Sequence, residues 1–533
     1  MLLQACTIQN LTAQFNEQAL FKHLNFQLFQ GKISALIGAN GQGKSILLSL
    51  LTNHILLPHF STGRITWNIS FSHLTQKSTN STPNQTIADA LGIVDLYQAF
   101  TRIKQGTAEF SDYELTEQSW HLPAEWQKLL IDANLPTDLS FNIYKLSEGQ
   151  QIKLILCRLF LLKDHYLLLD EPSNHLDQES RHWLITNIKN HPAGCLVVSH
   201  DRYLLDQIHH TFVLNSFGLT EYHCNYSKYK QLSDLKLEAL QTDIKQQKSK
   251  LIELEKQKAI QLEKSAQRRK VLKKTKQLRK EPDKFILHAK KAQAQNAEAK
   301  LNTQYVSQKS LNLQTIAEKK ELIEKIKPQS FCFNTNKVKS IEILRLKDLT
   351  LPHCKLKPIH FSLFANEKIH LTGQNGIGKS TLLKVINQNS CSTTEFFKAA
   401  HTFYLDQNFS FLKPHLNAIE NLRQFNTQLS DLNFRTELGK IRLKTDKALM
   451  PLSQLSGGEQ LKVALLCISL CEKPIELLLL DEPDNHLDID SKILFANAIH
   501  FFDGAVMLVS HDPYFVKECN ITESFNFNAL KKT

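Results

Sequence analysis

The sequence predicts an α/β protein in which two copies of one parallel-sheet unit are joined by a long antiparallel helical hairpin. Three observations lead there. A glycine-rich motif after an apolar strand occurs twice, at residues 38–45 and 373–380. A second apolar strand ending in Asp-Glu follows each copy, at 167–171 and 477–482, and such self-similarity marks a duplicated unit. Between the copies, residues 226–330 contain no Gly and only Pro282 before Pro328, and they are rich in the good helix formers Lys, Gln, Glu, Ala and Leu. The expected division is a first unit over 1–224, a basic linker over 225–337 and a second unit over 338–533. A length of 533 residues agrees, since single cores rarely grow beyond about 250–300 residues.

In the first unit the strand Ile33–Ile37 runs into Gly38, Asn40, Gly41, Gly43, Lys44 and Ser45, followed by the apolar run Ile46–Leu51. In the second, the strand near Ile369 runs into Gly373, Asn375, Gly376, Gly378, Lys379, Ser380 and Thr381. Both match a strand, a P-loop and a helix. The glycines let backbone N–H groups curl round a phosphate, and the helix N-terminus adds partial positive charge. Lys44 and Lys379 are placed to reach the terminal phosphates, and Ser45 and Ser380 to ligate Mg²⁺. The strands at 167–171 and 477–482 then deliver Asp170 and Asp481 for Mg²⁺ and Glu171 and Glu482 for the attacking water. Thirty residues beyond each Asp, a further strand ends in His200 or His511, and the equal spacing again indicates duplication.

Between loop and acids stand Leu146-Ser147-Glu148-Gly149-Gln150 and Leu455-Ser456-Gly457-Gly458-Glu459-Gln460. These resemble the signature of ATP-binding cassettes. The resemblance implies ATP and Mg²⁺ as cofactors and two cassettes paired head to tail within one monomer. Each ATP would lie between one P-loop and the other cassette's signature, Ser147 and Gly149 or Ser456, Gly457 and Gly458. Gln76 and Gln407 resemble the glutamines that reach the nucleotide's metal, and Phe15 lies where an aromatic ring stacks on adenine. The second half offers no Phe or Tyr there, over Leu349 to His353.

The acids continue as Glu171-Pro172-Ser173-Asn174-His175-Leu176-Asp177 and Glu482-Pro483-Asp484-Asn485-His486-Leu487-Asp488. With two cassettes and a charged helical linker, the chain resembles the ABC-F family of ribosome-associated ATPases. The resemblance implies ATP hydrolysis, a ribosome partner (rRNA and P-site tRNA), and a linker near the peptidyl-transferase centre. It also implies a role as translation factor or antibiotic-resistance ribosomal protection protein. A DNA-associated ABC-F ATPase and the ATPase component of a transporter are the alternatives. No membrane-domain partner is expected.

The linker concentrates the charge. Over 226–330 there are 26 Lys and Arg against 12 Asp and Glu, a net of +14, although the whole chain carries only +12. Residues 264–291 hold 12 basic and two acidic residues. Arg268, Arg269, Lys270, Lys273, Lys274, Lys276, Arg279 and Lys280 are the candidate RNA contacts. Leu237, Leu240, Ile244, Leu251 and Leu254, with Gln247 and Lys258 in register, form a heptad-like seam. Pro282 disfavours helix at Glu281 and predicts the turn. Leu301, Tyr305, Leu313, Ile316 and Ile323 are the candidate seam of the returning arm.

The remaining features are bland. No apolar stretch approaches the roughly 20 residues that span a bilayer, and Met1 to Ala5 lacks the features of a secretory signal, so a cytoplasmic location is expected. Ten scattered Cys read as reduced thiols. The interval from Gln76 to Ser147 exceeds that from Gln407 to Ser456 by about 20 residues, around Trp120 and Trp126, for which ordinary packing is expected.

Overall fold

The computed structural model describes residues 3–15, 18–52, 61–74, 85–174, 176–215, 218–278, 299, 302–320, 323, 331, 342–352, 356–374, 376–389, 395–398, 401–406, 408–441, 443, 445–485 and 487–530. In the first cassette the strands are β1 (Gln4–Phe15), β2 (Gln18–Phe29), β3 (Ile33–Ile37), β4 (Ser61–Trp67), β5 (Phe71–Leu74), β6 (Tyr166–Asp170), β7 (Cys195–Val198), β8 (Thr211–Asn215) and β9 (Gly218–Tyr222). They form an antiparallel sheet β2-β1-β4 and a six-stranded sheet β5-β6-β7-β3-β8-β9, parallel except for the β8–β9 hairpin. The second cassette repeats the plan with β10 (Glu342–Leu349), β11 (Ile359–Phe364), β12 (Lys368–Thr372), β13 (Glu395–Lys398), β14 (Thr402–Asp406), β15 (Leu477–Asp481), β16 (Ala505–Val509) and β17 (Glu523–Asn526). Its sheets are β11-β10-β13 and the all-parallel β14-β15-β16-β12-β17.

The central strands β6 and β15 read as continuous apolar runs because both faces are covered, and all five residues of each are buried. Each phosphate-binding loop leaves β3 or β12, and each Asp-Glu pair leaves β6 or β15, so the chemistry gathers at the carboxyl edge of the sheet, where parallel α/β sheets place ligands. Residues 1–226 and 329–533 form one compact unit, so the two cassettes pack together, and residues 227–328 form a second.

The extra length of the first cassette becomes helix. Between β5 and β6 it places Ile87–Leu91, Val94–Gln105, Phe110–Thr116 and Leu122–Asp132 ahead of the signature helix, where the second cassette has Ala418–Phe425, Asp431–Lys440 and Thr445–Leu449. Phe100 meets the edges of both Trp120 and Trp126 at 5.6 and 6.2 Å between ring centroids. Trp126 is core, whereas Trp120 has 57% of its surface exposed.

In the second unit the helix Tyr226–Leu278 runs antiparallel to the helical residues 302–320. Lys319 pairs with Asp243 and Lys309 with Glu255, each at 2.8 Å, and the Lys258 ammonium lies 4.0 Å from the Tyr305 ring centre. Partner numbers sum to nearly the same value along the pair, which is the mark of an antiparallel register. Leu237, Leu240, Ile244, Gln247, Leu251, Leu254 and Lys258 are all at least half-buried, as the heptad pattern requires. The returning arm corrects one expectation: Leu313 is 49% exposed, and among the described residues the shielded positions are Tyr305, Lys309, Asn312, Thr315, Ile316, Lys319 and Ile323. A strictly apolar pattern missed this because the Lys stems cover the seam while their ammonium groups pair across it. The turn at Pro282, Leu301, Arg279 and Lys280 lie outside the described residues, as do the side chains of Arg268, Arg269, Lys270, Lys273, Lys274 and Lys276.

Among the described residues of this unit, Ile244 and Ile316 are buried. Ile316→Ala should weaken the pairing of the arms by about 2–4 kcal/mol. Amide exchange should quicken over 302–320 and 237–258 while β6 and β15 keep their protection; unchanged exchange in the arms would contradict the seam.

Candidate functional site

The two phosphate-binding loops have the same construction. Gly41 and Gly43 adopt φ of 80° and 88°, and Gly376 and Gly378 adopt 76° and 114°, conformations that a Cβ would penalise. Gly43 and Gly378 end the loops as the N-caps of Lys44–Leu51 and Lys379–Gln388. Lys44 Nζ donates to the carbonyls of Gly38 and Ala39 at 2.7 and 3.2 Å. Lys379 Nζ donates to Gly373 and Gln374 at the same distances. Each ammonium is therefore folded into its own loop. Burial lowers the pKa of both lysines, against the pull of nearby carboxylates.

Glu171 and Glu482 share an unusual backbone, with φ of 51° and 48°. A non-glycine residue held in this region concentrates strain where geometry is demanded. Each is fixed by its own N–H, donated to Val198 at 2.8 Å or Val509 at 2.9 Å. His200 Nε2 and His511 Nε2 each lie 3.6 Å from the neighbouring glutamate oxygen. Ser380 Oγ donates to Asp481 Oδ1 at 2.7 Å, and Tyr404 O–H to Asp481 Oδ2 at 2.9 Å. In the first cassette Asp170 Oδ1 is buried without a hydrogen-bond partner among the described residues. An orphaned carboxylate oxygen beside Ser45 and a phosphate-binding loop fits a hard divalent cation such as Mg²⁺.

The cassettes complete one another. Asn40 N–H donates to Asp488 Oδ2 at 2.7 Å across the interface, while Asp488 Oδ1 caps the helix Ile489–His500 by accepting from Ser491 N–H at 2.8 Å. Gly458 packs there, since a Cβ on it would meet Ser491 Oγ at 2.4 Å. A cavity of about 380 Å³ is lined by Asn40, Gly41, Gly43, Lys44, Ser45, Asp170, Glu171 and His200 together with Asp484, Asn485 and Leu487 of the other cassette. Its counterpart of about 690 Å³ joins Gly373, Lys379 and His511 to Asp177 and Glu179. Ser147 and Ser456 are N-caps of the helices Glu148–Leu161 and Gly457–Ser469 and line neither cavity, nor do Gly149 and Gly457. Thr381 follows Ser380 in its helix. Phe15 lies in β1, its side chain outside the described residues, where Gln76, Gln407 and Asn375 also fall.

Several residues of this region carry no sequence expectation. Arg181 Nη1 donates to the His511 carbonyl at 2.9 Å, and Arg181 Nε lies 3.4 Å from Asp201 Oδ2. At the position matching Arg181, Lys492 holds Asp512 at 2.9 Å and Asp484 at 4.0 Å. Burial opposes the charge of Lys492, but the two aspartates outweigh it and raise its pKa. Arg202 pairs with Glu518 at 2.5 Å, and Tyr514 O–H donates to Asp206 at 3.0 Å, both between cassettes. The one available signal was the charged residue four positions after Asp177 and Asp488, in both copies.

Electrostatically the two sites differ. Burial pushes the Glu171 carboxyl up to about 8, with Asp170 adding to it and Lys44 opposing. The His511 ring 3.6 Å away holds Glu482 below the usual range, helped by Asn485 and Lys379. His200 is held neutral by burial, reinforced by Lys44 and Lys492. A raised carboxyl pKa means that the basic form is present only above that pKa. In the Glu482→Gln variant, kcat/KM for ATP should therefore rise from pH 6, pass half its plateau near pH 8 and level off about one unit higher, since this ratio reports the free enzyme. In Glu171→Gln it should stay level over that range, and matching profiles would contradict the asymmetry.

Comparison with known proteins agrees with this geometry. The ABC transporter family pattern matches residues 21–174 and 356–485. The ribosome protection protein VmlR of Bacillus subtilis (strain 168) is 27% identical over 521 residues, covering 96% of this chain and 85% of that protein. ABC transporter F family member 5 of Arabidopsis thaliana is 25% identical over 559 residues, covering 96% and 73%. The fold is similar to the archaeal ribosome recycling factor aABCE1, solved with the stalk protein aP1, with a TM-score of 0.53, 15% identity and coverage of 96% and 86%. It is also similar to RNase-L Inhibitor, with a TM-score of 0.51, 17% identity and coverage of 96% and 86%. Among the described residues no helix is long and apolar enough to cross a membrane. Two matched segments, each bringing a phosphate-binding loop and an Asp-Glu strand to the cassette interface, place this chain in the ABC transporter family, as an ATP-hydrolysing protein of the tandem-cassette ABC-F kind.

Proposed function

We propose that the chain works on the ribosome, directing its basic helical arm at ribosomal RNA and P-site tRNA near the peptidyl-transferase centre, as a translation factor or a ribosomal protection protein. The observation that carries this reading is the segregation of charge: a net of +14 over 226–330 leaves −2 for the rest of the chain. A solvated spacer would mix signs for i,i+4 pairing, whereas 12 basic against two acidic residues over 264–291 suits a polyanion. VmlR, similar over nearly the whole chain, is named for ribosome protection.

In this reading ATP closes the cassettes and hydrolysis releases them. Asp170 with Ser45, and Asp481 with Ser380, would hold Mg²⁺, with Gln76 and Gln407 completing its surroundings; the ion supplies charge neutralisation at the phosphates. Lys44 and Lys379 exchange their loop carbonyls for phosphate oxygens. The strained backbone of Glu171 and Glu482 aims each carboxylate at the water, and His200 and His511 hold the terminal phosphate. The signature residues Ser147 and Ser456 close from the opposite cassette, and Phe15 stacks on adenine.

Replacing both Glu171 and Glu482 by Gln should leave ATP binding intact and lower turnover on the order of 10²–10⁴-fold. The variant should stay on ribosomes and inhibit translation, and undiminished turnover would remove these residues from their roles. Changing Arg268, Arg269, Lys273, Lys274 and Arg279 to Gln should weaken ribosome binding with a shallower salt dependence, by roughly 0.7–0.9 in log–log slope per lost contact. ATPase activity without ribosomes should persist. Parent-like ribosome binding from low to physiological salt would reduce the arm to a spacer, and a native complex sensitive to DNase rather than RNase would redirect it to DNA.

A further inference from the structure

Away from the nucleotide sites, three potential metal ligands meet where β3, β8 and β9 lie side by side. Thr211 pairs with Tyr222 and Phe212 with Glu221 in the β8–β9 ladder, so His210 and His223, one step further out, face each other across the hairpin. Their rings lie nearly parallel, 5.3 Å apart and 14° from coplanar. Glu221 is two residues before His223 and so shares its face of the strand. Its Oε1 lies 2.5 Å from His210 Nε2 and 3.8 Å from His223 Nδ1. One donor atom from each of the three side chains falls within 4.8 Å of the other two.

The arrangement is supported from behind. His210 is buried, and its Nδ1 lies 2.7 Å from Ser34 Oγ on β3. That bond fixes the ring and points Nε2 outward at the carboxylate, which is how ligating histidines are usually oriented. Burial, together with Lys32 and His223, disfavours the imidazolium of His210, against the pull of Glu221. A neutral, oriented imidazole beside a carboxylate and a second imidazole is a ligand set for a borderline cation. Two nitrogens and one oxygen favour Zn²⁺ over Mg²⁺ or Ca²⁺, which prefer all-oxygen shells. The Mg²⁺ that accompanies ATP therefore competes weakly here.

We infer that His210 Nε2, Glu221 Oε1 and His223 Nδ1 form a binding site for a Zn²⁺-class divalent ion, with water in the remaining position, clamping the edge hairpin of the first cassette. The ion would replace the proton between His210 and Glu221 and draw in His223, whose side chain is 76% exposed. The site takes no part in ATP chemistry, since none of its residues lines either nucleotide cavity.

The test uses the full-length chain without nucleotide, in equilibrium dialysis against Zn²⁺ and in Co²⁺ titration followed by visible absorption. His223→Ala and Glu221→Gln change exposed side chains and leave buried His210 in place. The parent should bind one equivalent more than either variant, or bind that equivalent at least tenfold more tightly, with the Co²⁺ band reduced in both variants. Zn²⁺ should also raise the parent's thermal midpoint more than that of His223→Ala, because an ion bound only by the folded state stabilises it. Equal stoichiometry, affinity and absorption in all three proteins would overturn the inference and leave a hydrogen-bonded His210–Glu221 pair with a surface histidine stacked on it.

Discussion

Asp488 does two things with one carboxylate. One oxygen caps the helix that follows it, and the other accepts the Asn40 amide of the opposite cassette at 2.7 Å. A helix cap is worth about 1 kcal/mol locally, but here the same group also orients a phosphate-binding loop that is not its own. The loop of the first cassette is therefore finished only when the second cassette is in place, and Asp177 near Lys379 builds the reverse relation. This reciprocity makes the cassette interface and the nucleotide sites a single object. Ions along the interface follow from it: Lys492 and Arg202 are buried, and Arg181 is partly buried, among Asp201, Asp484, Asp512 and Glu518 because carboxylates crowded there need partners in low dielectric.

The duplication sets two equal frames, and substitution has filled them unequally. Lys492 stands where the first copy has Arg181, and Tyr404 donates to Asp481 from β14. Glu171 is sealed, with 8% of its side chain exposed, whereas Glu482 is 29% exposed and bonded to Asn485. The same residue type thus meets different dielectric surroundings, which is the usual way one residue type acquires two pKa values. Glu148, exposed at the first position of its helix where the second copy has Gly457, adds a further inequality by sequence alone.

The frames were legible in the sequence because their chemistry depends on short contiguous strings. A phosphate-binding loop must carry Gly at positions of positive φ, and a buried strand must be apolar until the acids, so 38–45 and 477–482 could be read directly. The first arm was legible for a similar reason, since a 3–4 spacing from Leu237 to Lys258 survives any tertiary setting. The returning arm was not: Lys309 and Lys319 look solvated in sequence, yet they sit in the seam with their charges paired across it. Tyr404, Arg181, Lys492 and Arg202 were equally hidden. Apart from the Lys492–Asp484 contact, each acts through a partner between 20 and several hundred residues away, and no local pattern encodes such a partner. The positive φ of Glu171 and Glu482 could not be foreseen either, because it is imposed by bonds to neighbouring strands rather than preferred by the residue.

The placement of charge constrains how the two halves of the function communicate. The helix Tyr226–Leu278 has 53 residues, about 80 Å at 1.5 Å per residue. Lys264, where the basic cluster begins, is about 57 Å along it from the first turn. Charges at physiological ionic strength are screened over about 8 Å, so the field of the cluster does not reach one end of this helix from the other. Within the helix, therefore, an effect at one end reaches the other only as displacement of a stiff element. Heptad-like shielding, paired lysines and the absence of Gly along the helix all favour that stiffness. The positive charge is thereby confined to one segment, a net of +14 over 226–330 against −2 for the rest of the chain.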